Sequence, residues 1–496
     1  MVVIFHRGPG WSKRHLFLTL GDWLIIVVSQ LAAVFLRLGP EDGLDYLLRH
    51  LGTFVSAVVI YMLVFYAGGM YEPPTRVRRT DFDFLPLIVT AIAAGLTGLV
   101  LYTRPQMTLG RGIWAISSLL ILLLTYGLRQ LFLGMVKRGF FLRRALLLCD
   151  HPDRAADLLG LLKTSPVSPY HVLGLVLCGA LPQSAYSGEP PVLGLARDLQ
   201  QLVSRHNVAT LLLTVSPMRS HELLPHLRPL RYVGAEIMDY VSLSEELARE
   251  IPLAHINDEW LMTAALNSSV LQIRKIKRAM DIAVSLIGLI PGIPVMMIAG
   301  ALIKLTSPGP VIYRQKRVGL GGEPYVLYKL RTMRADAEKH GAVWAGHRDA
   351  RVTAVGYFLR KWRLDEIPQL INILKGEMSL VGPRPERPEF TDKLAAFIPF
   401  YNERHLVQPG LTGWAQVRYP YAASFESAAR KLQFDLYYIK NMSFLLDIAI
   451  LLRTFKTILV GLRHDEEFLP VDDKLEEWLA TNETPADNPQ PDGETP

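Results

Sequence analysis

The stretch Arg360-Lys361-Trp362-Arg363-Leu364-Asp365-Glu366-Ile367-Pro368-Gln369-Leu370 sets two adjacent carboxylates just ahead of a helix. Leu380-Val381-Gly382-Pro383-Arg384-Pro385-Glu386 follows as a rigid turn. An Asp-Glu pair is common and means little alone. Here Pro368 falls in the first turn of a helix whose expected apolar face is Leu370, Ile371 and Leu374. Asp365 or Glu366 then lies at the helix N-terminus, where the dipole favours an ionised carboxylate and incoming phosphate oxygens. An ionised carboxylate can attack phosphorus. Its charge repels a diphosphate, so a metal must screen it, and Mg2+ suits an all-oxygen site of carboxylate, phosphate and water. Asp365 and Glu366 are the candidate catalytic and metal-holding residues.

The neighbouring cations complete a substrate-binding set. Arg384 is fixed between Pro383 and Pro385, so its guanidinium can be held for phosphate recognition; otherwise the segment is a surface turn. Arg360 is close enough in sequence to share the pocket. Lys329 and Arg331, in Tyr328-Lys329-Leu330-Arg331-Thr332-Met333, add a basic cluster or else are solvated strand charges. Pro409-Gly410-Leu411-Thr412-Gly413-Trp414-Ala415-Gln416 is a rigid turn before a strand, which lines a nucleotide pocket or merely packs. A rival metal motif, Asp81-Phe82-Asp83, sits at a membrane edge without a supporting nucleotide fold. There is no Ser/His/Asp arrangement, HExxH or Walker loop.

Outward from this motif the chain turns apolar. Of 496 residues 50% are hydrophobic, and the mean hydropathy is +0.22, above the habit of soluble domains. Runs at Leu16–Leu36, Leu51–Met70, Phe84–Thr103 and Ile113–Val136 each approach the ~20 residues that a bilayer-spanning helix needs. Arg7, Lys13 and Arg14, then Arg76, Arg78 and Arg79, then Lys137, Arg138, Arg143 and Arg144 mark the cytoplasmic loops. The first run is too long for a secretory signal and lacks a small-residue cleavage site. Asp22 lies inside it, near the cytoplasmic end, and is expected to reach the interface. The net charge of +7 follows from basic loops, or else marks an attraction to acidic lipids or an anionic substrate. With no basic run interleaved with aromatics, nucleic acid is not an expected partner. Cys149 and Cys178 are the only cysteines and lack metal spacing, so they read as two buried thiols.

From Arg144 to about Leu261, short apolar runs alternate with amphipathic stretches, which predicts an α/β sheet domain. Its first turn, Cys149-Asp150-His151-Pro152-Asp153, has no glycine, so a Rossmann-like domain without a working nucleotide site is expected. A fifth run, Ala279–Leu305, is broken by Pro291-Gly292-Ile293-Pro294 and flanked by basic residues at both ends, which predicts a re-entrant hairpin rather than a straight span. Phe444–Leu462 is apolar but carries Asp447, Arg453 and Lys456, as an interfacial helix would, the alternative being an ordinary core helix. Beyond Pro470 the composition predicts a disordered acidic tail.

Val311-Ile312-Tyr313-Arg314-Gln315-Lys316-Arg317-Val318-Gly319, Lys329–Met333, the Asp365-Glu366 segment, Asn372–Pro385 and Pro409–Gln416 occur in the order typical of one family. The chain resembles the bacterial sugar transferases, or monotopic phosphoglycosyl transferases, over about Lys275–Arg463, and the large members of that family over nearly its whole length. The resemblance implies transfer of a sugar-1-phosphate from a UDP-sugar to undecaprenyl phosphate, with release of UMP. It implies Asp365 as nucleophile of a phospho-sugar intermediate, Glu366 holding Mg2+, and Arg384 and Arg360 on the phosphates. Two positions depart from the pattern: Ile293-Pro294 stands where Ser-Pro is common, and Arg418-Tyr419-Pro420-Tyr421 replaces Asn-Gly-Arg, a variant similar to exopolysaccharide enzymes of exosortase systems.

The expected fold is a membrane protein with four parts. Residues 1–140 form an N-terminal four-helix transmembrane bundle, and 141–265 a Rossmann-like α/β middle domain. Residues 270–465 form a C-terminal mixed α/β catalytic domain with a re-entrant membrane helical hairpin at about 279–305, and 470–496 the tail. The expected setting is the bacterial inner membrane, with the catalytic domain facing the cytoplasm. A homodimer and later polysaccharide-assembly enzymes are the expected protein partners. The competing reading is a catalytically idle membrane scaffold.

Overall fold

The computed structural model describes residues 13–68, 70–71, 79–103, 110–151, 155–164, 168–178, 189–214, 223–232, 234–265, 270–334, 351–419 and 425–460. The tail expected over 470–496 and the end of the turn after the first strand, Pro152-Asp153, lie outside them. The chain forms two compact units, Met1–Arg249 and Glu250–Pro496.

The first unit opens with α1 (Lys13–Arg49), α2 (Leu51–Ala67), α3 (Arg79–Tyr102) and α4 (Arg111–Lys137). α1 packs on α4 and α2, and α3 packs on α2 and α4. Ile26, Phe65, Ala93 and Ile121 are fully buried between them, whereas Leu20, Leu24, Val55, Leu63, Leu99 and Leu131 face outward. Helices apolar on both faces suit a hydrocarbon surround. α1 and α4 contain segments, Arg14–Arg49 and Arg111–Val136, long and apolar enough to cross a membrane, while α2 and α3 carry the shorter apolar stretches Leu51–Tyr66 and Val89–Leu101. Asp22 does not reach the protein surface. It is fully buried and accepts a 2.5 Å hydrogen bond from Arg129 on α4, because a carboxylate among apolar helices requires a charged partner. Asp81 and Asp83 fall within the first five residues of α3, and their side chains are outside the described set.

The same unit continues as β1 (Arg143–Cys149), α5 (Ala155–Thr164), β2 (Tyr170–Leu177), β3 (Val192–Leu195), α6 (Leu199–His206), β4 (Thr210–Leu213), α7 (Leu224–Tyr232), β5 (Glu236–Asp239) and α8 (Tyr240–Leu247). The strands make one parallel sheet in the order β3-β2-β1-β4-β5. Parallel strands are buried on both faces. Accordingly Ala145, Leu147 and Cys149 of β1 enter one apolar layer, and Leu146 and Leu148 enter the other. Both cysteines are free. Burial, with help from the Asp150 charge, pushes the Cys149 thiol up to about 11 and the Cys178 thiol up to about 12.

The second unit contains α9 (Asp258–Ala265), α10 (Val270–Thr306), β6 (Ile312–Val318), β7 (Pro324–Leu330), α11 (Ala354–Lys361), α12 (Gln369–Lys375), β8 (Ser379–Val381), α13 (Pro388–Phe397), β9 (Gly410–Thr412), α14 (Trp414–Arg418), α15 (Phe425–Lys440) and α16 (Phe444–Val460). The expected hairpin segment lies in α10, which is helical throughout with Pro291 and Pro294 inside it. Its Arg274–Thr306 segment is the third that is long and apolar enough to cross a membrane. α10 touches the rest of this unit along its length. Asp281 Oδ1 accepts from the Leu380 backbone N–H at 3.0 Å, a Cβ at Gly292 would meet Ile367 at 3.0 Å, and Ala299 and Ile303 pack with Leu330 and Leu359. α16 is tied to the same body. Its Asp447 accepts from Lys277 Nζ at 2.6 Å and from the Tyr438 hydroxyl at 2.8 Å.

Candidate active site

β6 and β7 pair antiparallel, from Ile312 opposite Leu330 to Val318 opposite Pro324. This hairpin presents Lys329. α11 starts at the cap Thr353, whose hydroxyl accepts from the Gly356 N–H at 3.0 Å. Gly356 has to be glycine, since a Cβ would lie 2.0 Å from the Thr332 carbonyl oxygen. The helix delivers Arg360, whose Nε donates to Thr332 Oγ1 at 2.8 Å. Arg363 then takes a left-handed conformation, φ +57°, and the chain folds into a short 3-10 turn, Leu364–Glu366. β8 pairs in parallel with β9 and leads into Gly382-Pro383-Arg384-Pro385. A Cβ at Gly382 would lie 2.3 Å from the Gln408 carbonyl oxygen, so only glycine admits this crossing.

These elements meet at the carboxylate pair. Glu366 Oε1 lies 3.2 Å from Lys329 Nζ, 3.4 Å from Arg384 NH2 and 3.5 Å from Arg363 NH1. Burial alone would raise the Glu366 carboxyl. The charges of Lys329, Arg384 and Arg363 outweigh it and hold the group well below the usual carboxylate range. Asp365 is only 7% exposed, and its Oδ1 has no hydrogen-bond partner. Burial and the adjacent Glu366 charge raise its carboxyl, against the opposing pull of Lys329, Arg360 and Arg363. Two neighbouring carboxylates are thereby driven apart. Glu366 is a fixed anion within a cage of cations, and Asp365 keeps a buried oxygen that no hydrogen bond claims.

The remaining candidates divide. Arg384 joins the cage and also donates from NH1 to Gln416 Oε1 at 3.2 Å. Pro383 and Pro385 act through their carbonyls, which accept from the Gly410 N–H at 2.8 Å and from Arg317 NH1 at 3.0 Å. Arg331 is not brought to the carboxylates. Its guanidinium donates to the Ser307 and Pro308 carbonyls, both at 2.7 Å, and ties β7 to the turn after α10. The apolar face expected for α12 is also different. Ile371 is 40% exposed, and the buried positions are Gln369, Asn372 and Ile373. Asn372 is satisfied inside because it donates to Val326 O at 2.7 Å and accepts from the Tyr328 N–H at 3.1 Å.

Sequence reasoning missed the support of Arg384. Buried Arg404 donates to the Arg384 carbonyl at 2.9 Å, to Asp435 Oδ2 at 2.9 Å and to the Tyr401 hydroxyl. It also missed Gln369, which lines a small cleft with Arg317, Lys329 and Arg384. Gln369 Nε2 and Gln416 Nε2 are buried donors without partners. Nothing in the residue pattern signals these roles, though Gln416 falls in the turn motif and Arg363 in the central stretch. Among the described residues no cluster of three or more His, Cys, Asp or Glu could hold a metal.

Known proteins match the segment that carries this site. Residues 272–461 match the family described as bacterial sugar transferase. A UDP-N-acetylgalactosamine-undecaprenyl-phosphate N-acetylgalactosaminephosphotransferase of Aeromonas hydrophila is 45% identical over 219 residues, which is 44% of this chain and 51% of that protein. The chain thus spans about half the length of that relative. A UDP-glucose:undecaprenyl-phosphate glucose-1-phosphate transferase of Caulobacter vibrioides is 41% identical over 185 residues, 37% of this chain and 69% of that protein. The protein of the same name from Escherichia coli is 41% identical over 183 residues, 36% of this chain and 39% of that protein. With its carboxylate pair, its cation cage and these matches, the chain belongs to the bacterial sugar transferase family.

Proposed function

We propose that the protein transfers a sugar-1-phosphate from a UDP-sugar to undecaprenyl phosphate and releases UMP. The observation that carries this reading is the buried, unpartnered Asp365 Oδ1 beside a Glu366 caged by Lys329, Arg363 and Arg384. In the first half-reaction, Asp365 Oδ1 attacks the phosphorus that bears the sugar. The bond to the bridging oxygen breaks, and UMP leaves with that oxygen. In the second, an oxygen of the lipid phosphate attacks the same phosphorus and Asp365 is regenerated. Arg384, Lys329, Arg363 and Arg360 stabilise the diphosphate charge, and Gln369 and Gln416 offer amide donors to its oxygens.

Asp365 and Glu366 would hold Mg2+ together with phosphate and water oxygens. When bound it screens the diphosphate from the two carboxylates.

The apolar helices and the similarity to polyprenyl-phosphate enzymes support a membrane setting, and the cytoplasm is the side we assign to the site. α10 is held to one body near both of its ends, which supports a helix that re-enters the bilayer rather than parting two compartments. Initiation of exopolysaccharide assembly is the role this reaction would serve. The test is UMP release from a panel of UDP-sugars by membranes supplied with undecaprenyl phosphate and Mg2+. The wild type releases UMP with at least one sugar, and Asp365→Asn loses on the order of 10^3-fold in rate. No release with any sugar favours the idle scaffold, and equal rates remove Asp365 as nucleophile.

A further inference from the structure

At the opposite end of α10 from the site lies a second cationic feature that the reaction does not use. A cavity of about 440 Å3 opens there, and Arg274, Lys275 and Arg278 are among its lining residues together with Leu320, Val407 and Met442. Arg278 marks its position, because it donates to the carbonyls of Ile373 and Leu374 at the C-terminal end of α12. Asp365 precedes the other end of α12, where α10 contributes Gly288 and Gly292. Ten residues of helix separate Arg278 from Gly288, about 15 Å along the axis.

The charges at this cavity are anchored without being cancelled. Arg274 NH2 donates to the Leu406 carbonyl at 2.8 Å, and Arg278 likewise binds carbonyls. A neutral carbonyl satisfies a donor and leaves the positive charge in place. Lys277 differs, since its ion pair with Asp447 neutralises it. No acidic side chain lines the cavity among the described residues. The walls are apolar, and α10 continues from the cationic end into an exposed hydrophobic face: Leu286 is 53%, Ile287 66%, Ile290 73% and Met297 70% exposed. A soluble anion would have no use for such walls. A phosphate with hydrocarbon chains matches both halves.

We infer that this cavity seats the phosphate headgroup of a membrane lipid, and specifically a resident anionic phospholipid. Its separation from Asp365 sets it apart from the place where an acceptor phosphate would react. The inference rests on the membrane setting proposed above and is read by binding, so its failure is separable from failure of the transfer reaction.

The test is native mass spectrometry of the full-length protein purified into nanodiscs, with phosphatidylglycerol, phosphatidylcholine and undecaprenyl phosphate each supplied in turn. The wild type is expected to retain phosphatidylglycerol over phosphatidylcholine. Arg274→Gln/Lys275→Gln is expected to retain about 30-fold less, from roughly 1 kcal/mol for each of the two basic residues near an anionic surface, while UMP release continues. Lys275→Gln alone, at an exposed position, is expected to give a smaller loss in a chain whose fold it does not touch. Equal retention of the two phospholipids, or unchanged retention in both variants, would overturn the inference. Preferential retention of undecaprenyl phosphate would overturn it too and make the cavity an acceptor site.

Discussion

In the parallel sheet, β1 buries Leu146, Leu147 and Leu148 completely, and its helices close over them with apolar side chains. In the second unit the side chains excluded from water include Arg404, Asp435, Asn372 and Gln433. The first interior is held by area removed from water, which is tolerant of detail. The second depends on buried charges that are tolerable only while each keeps its partner. The difference follows from the task. A sheet core has only to be dense, whereas Arg384 has to stand at a fixed place beside Glu366, and a chain of directional bonds from Asp435 through Arg404 sets its backbone there.

The comparison is broken most severely at Arg404. Arg404→Leu leaves Asp435 buried without its cation and is expected to lower stability by about 3–5 kcal/mol, measured by chemical unfolding in detergent. Arg404→Leu/Asp435→Leu should recover much of that loss, yet still release UMP slowly, because the Arg384 carbonyl remains without its donor. A double variant with full activity would mean that the pair has no positioning role.

Leu147→Ala in the sheet should cost about 3 kcal/mol through lost burial and a residual cavity. UMP release per folded molecule should stay unchanged, as assayed after removal of unfolded protein.

The smallest effect is a pH dependence at His405. Burial, and then the Arg404 charge, push this imidazole down to about 4 from an ordinary 6.5. Between those values the unfolded chain binds a proton that the folded chain refuses, so stability falls as pH is lowered from about 6.5 towards 4. Thermal unfolding of wild type and His405→Gln at pH 7 and pH 5 checks it. The variant should lose less between the two.

The same contrast governs what was legible in the sequence. The run Ala145–Leu148 announces β1, and the apolar runs announce α1 to α4, because burial by area leaves a periodic trace. Asp365, Glu366 and Arg384 were also readable, since rigid Pro and Gly neighbours place chemistry close together in the chain. Arg331 was not. A basic residue on a strand looks the same whether it meets phosphate or, as here, the carbonyls of Ser307 and Pro308 from a distant turn. Nor was the polar buried face of α12, where Asn372 is accommodated only because β7 supplies a matching donor and acceptor. Asp22 was misplaced for a similar reason, as its partner Arg129 lies on another helix.

The central claim is that Asp365 carries the phospho-sugar between two half-reactions. The direct measurement is incubation of purified protein and Mg2+ with the UDP-sugar that supports UMP release, without any polyprenyl phosphate, followed by mass analysis of the peptide containing Asp365. The account predicts a single-turnover burst of UMP and a sugar-phosphate adduct on that peptide, discharged when undecaprenyl phosphate is added and absent in Asp365→Asn. UMP that appears only after the lipid is supplied, with no adduct at any time, would contradict it and point to direct transfer.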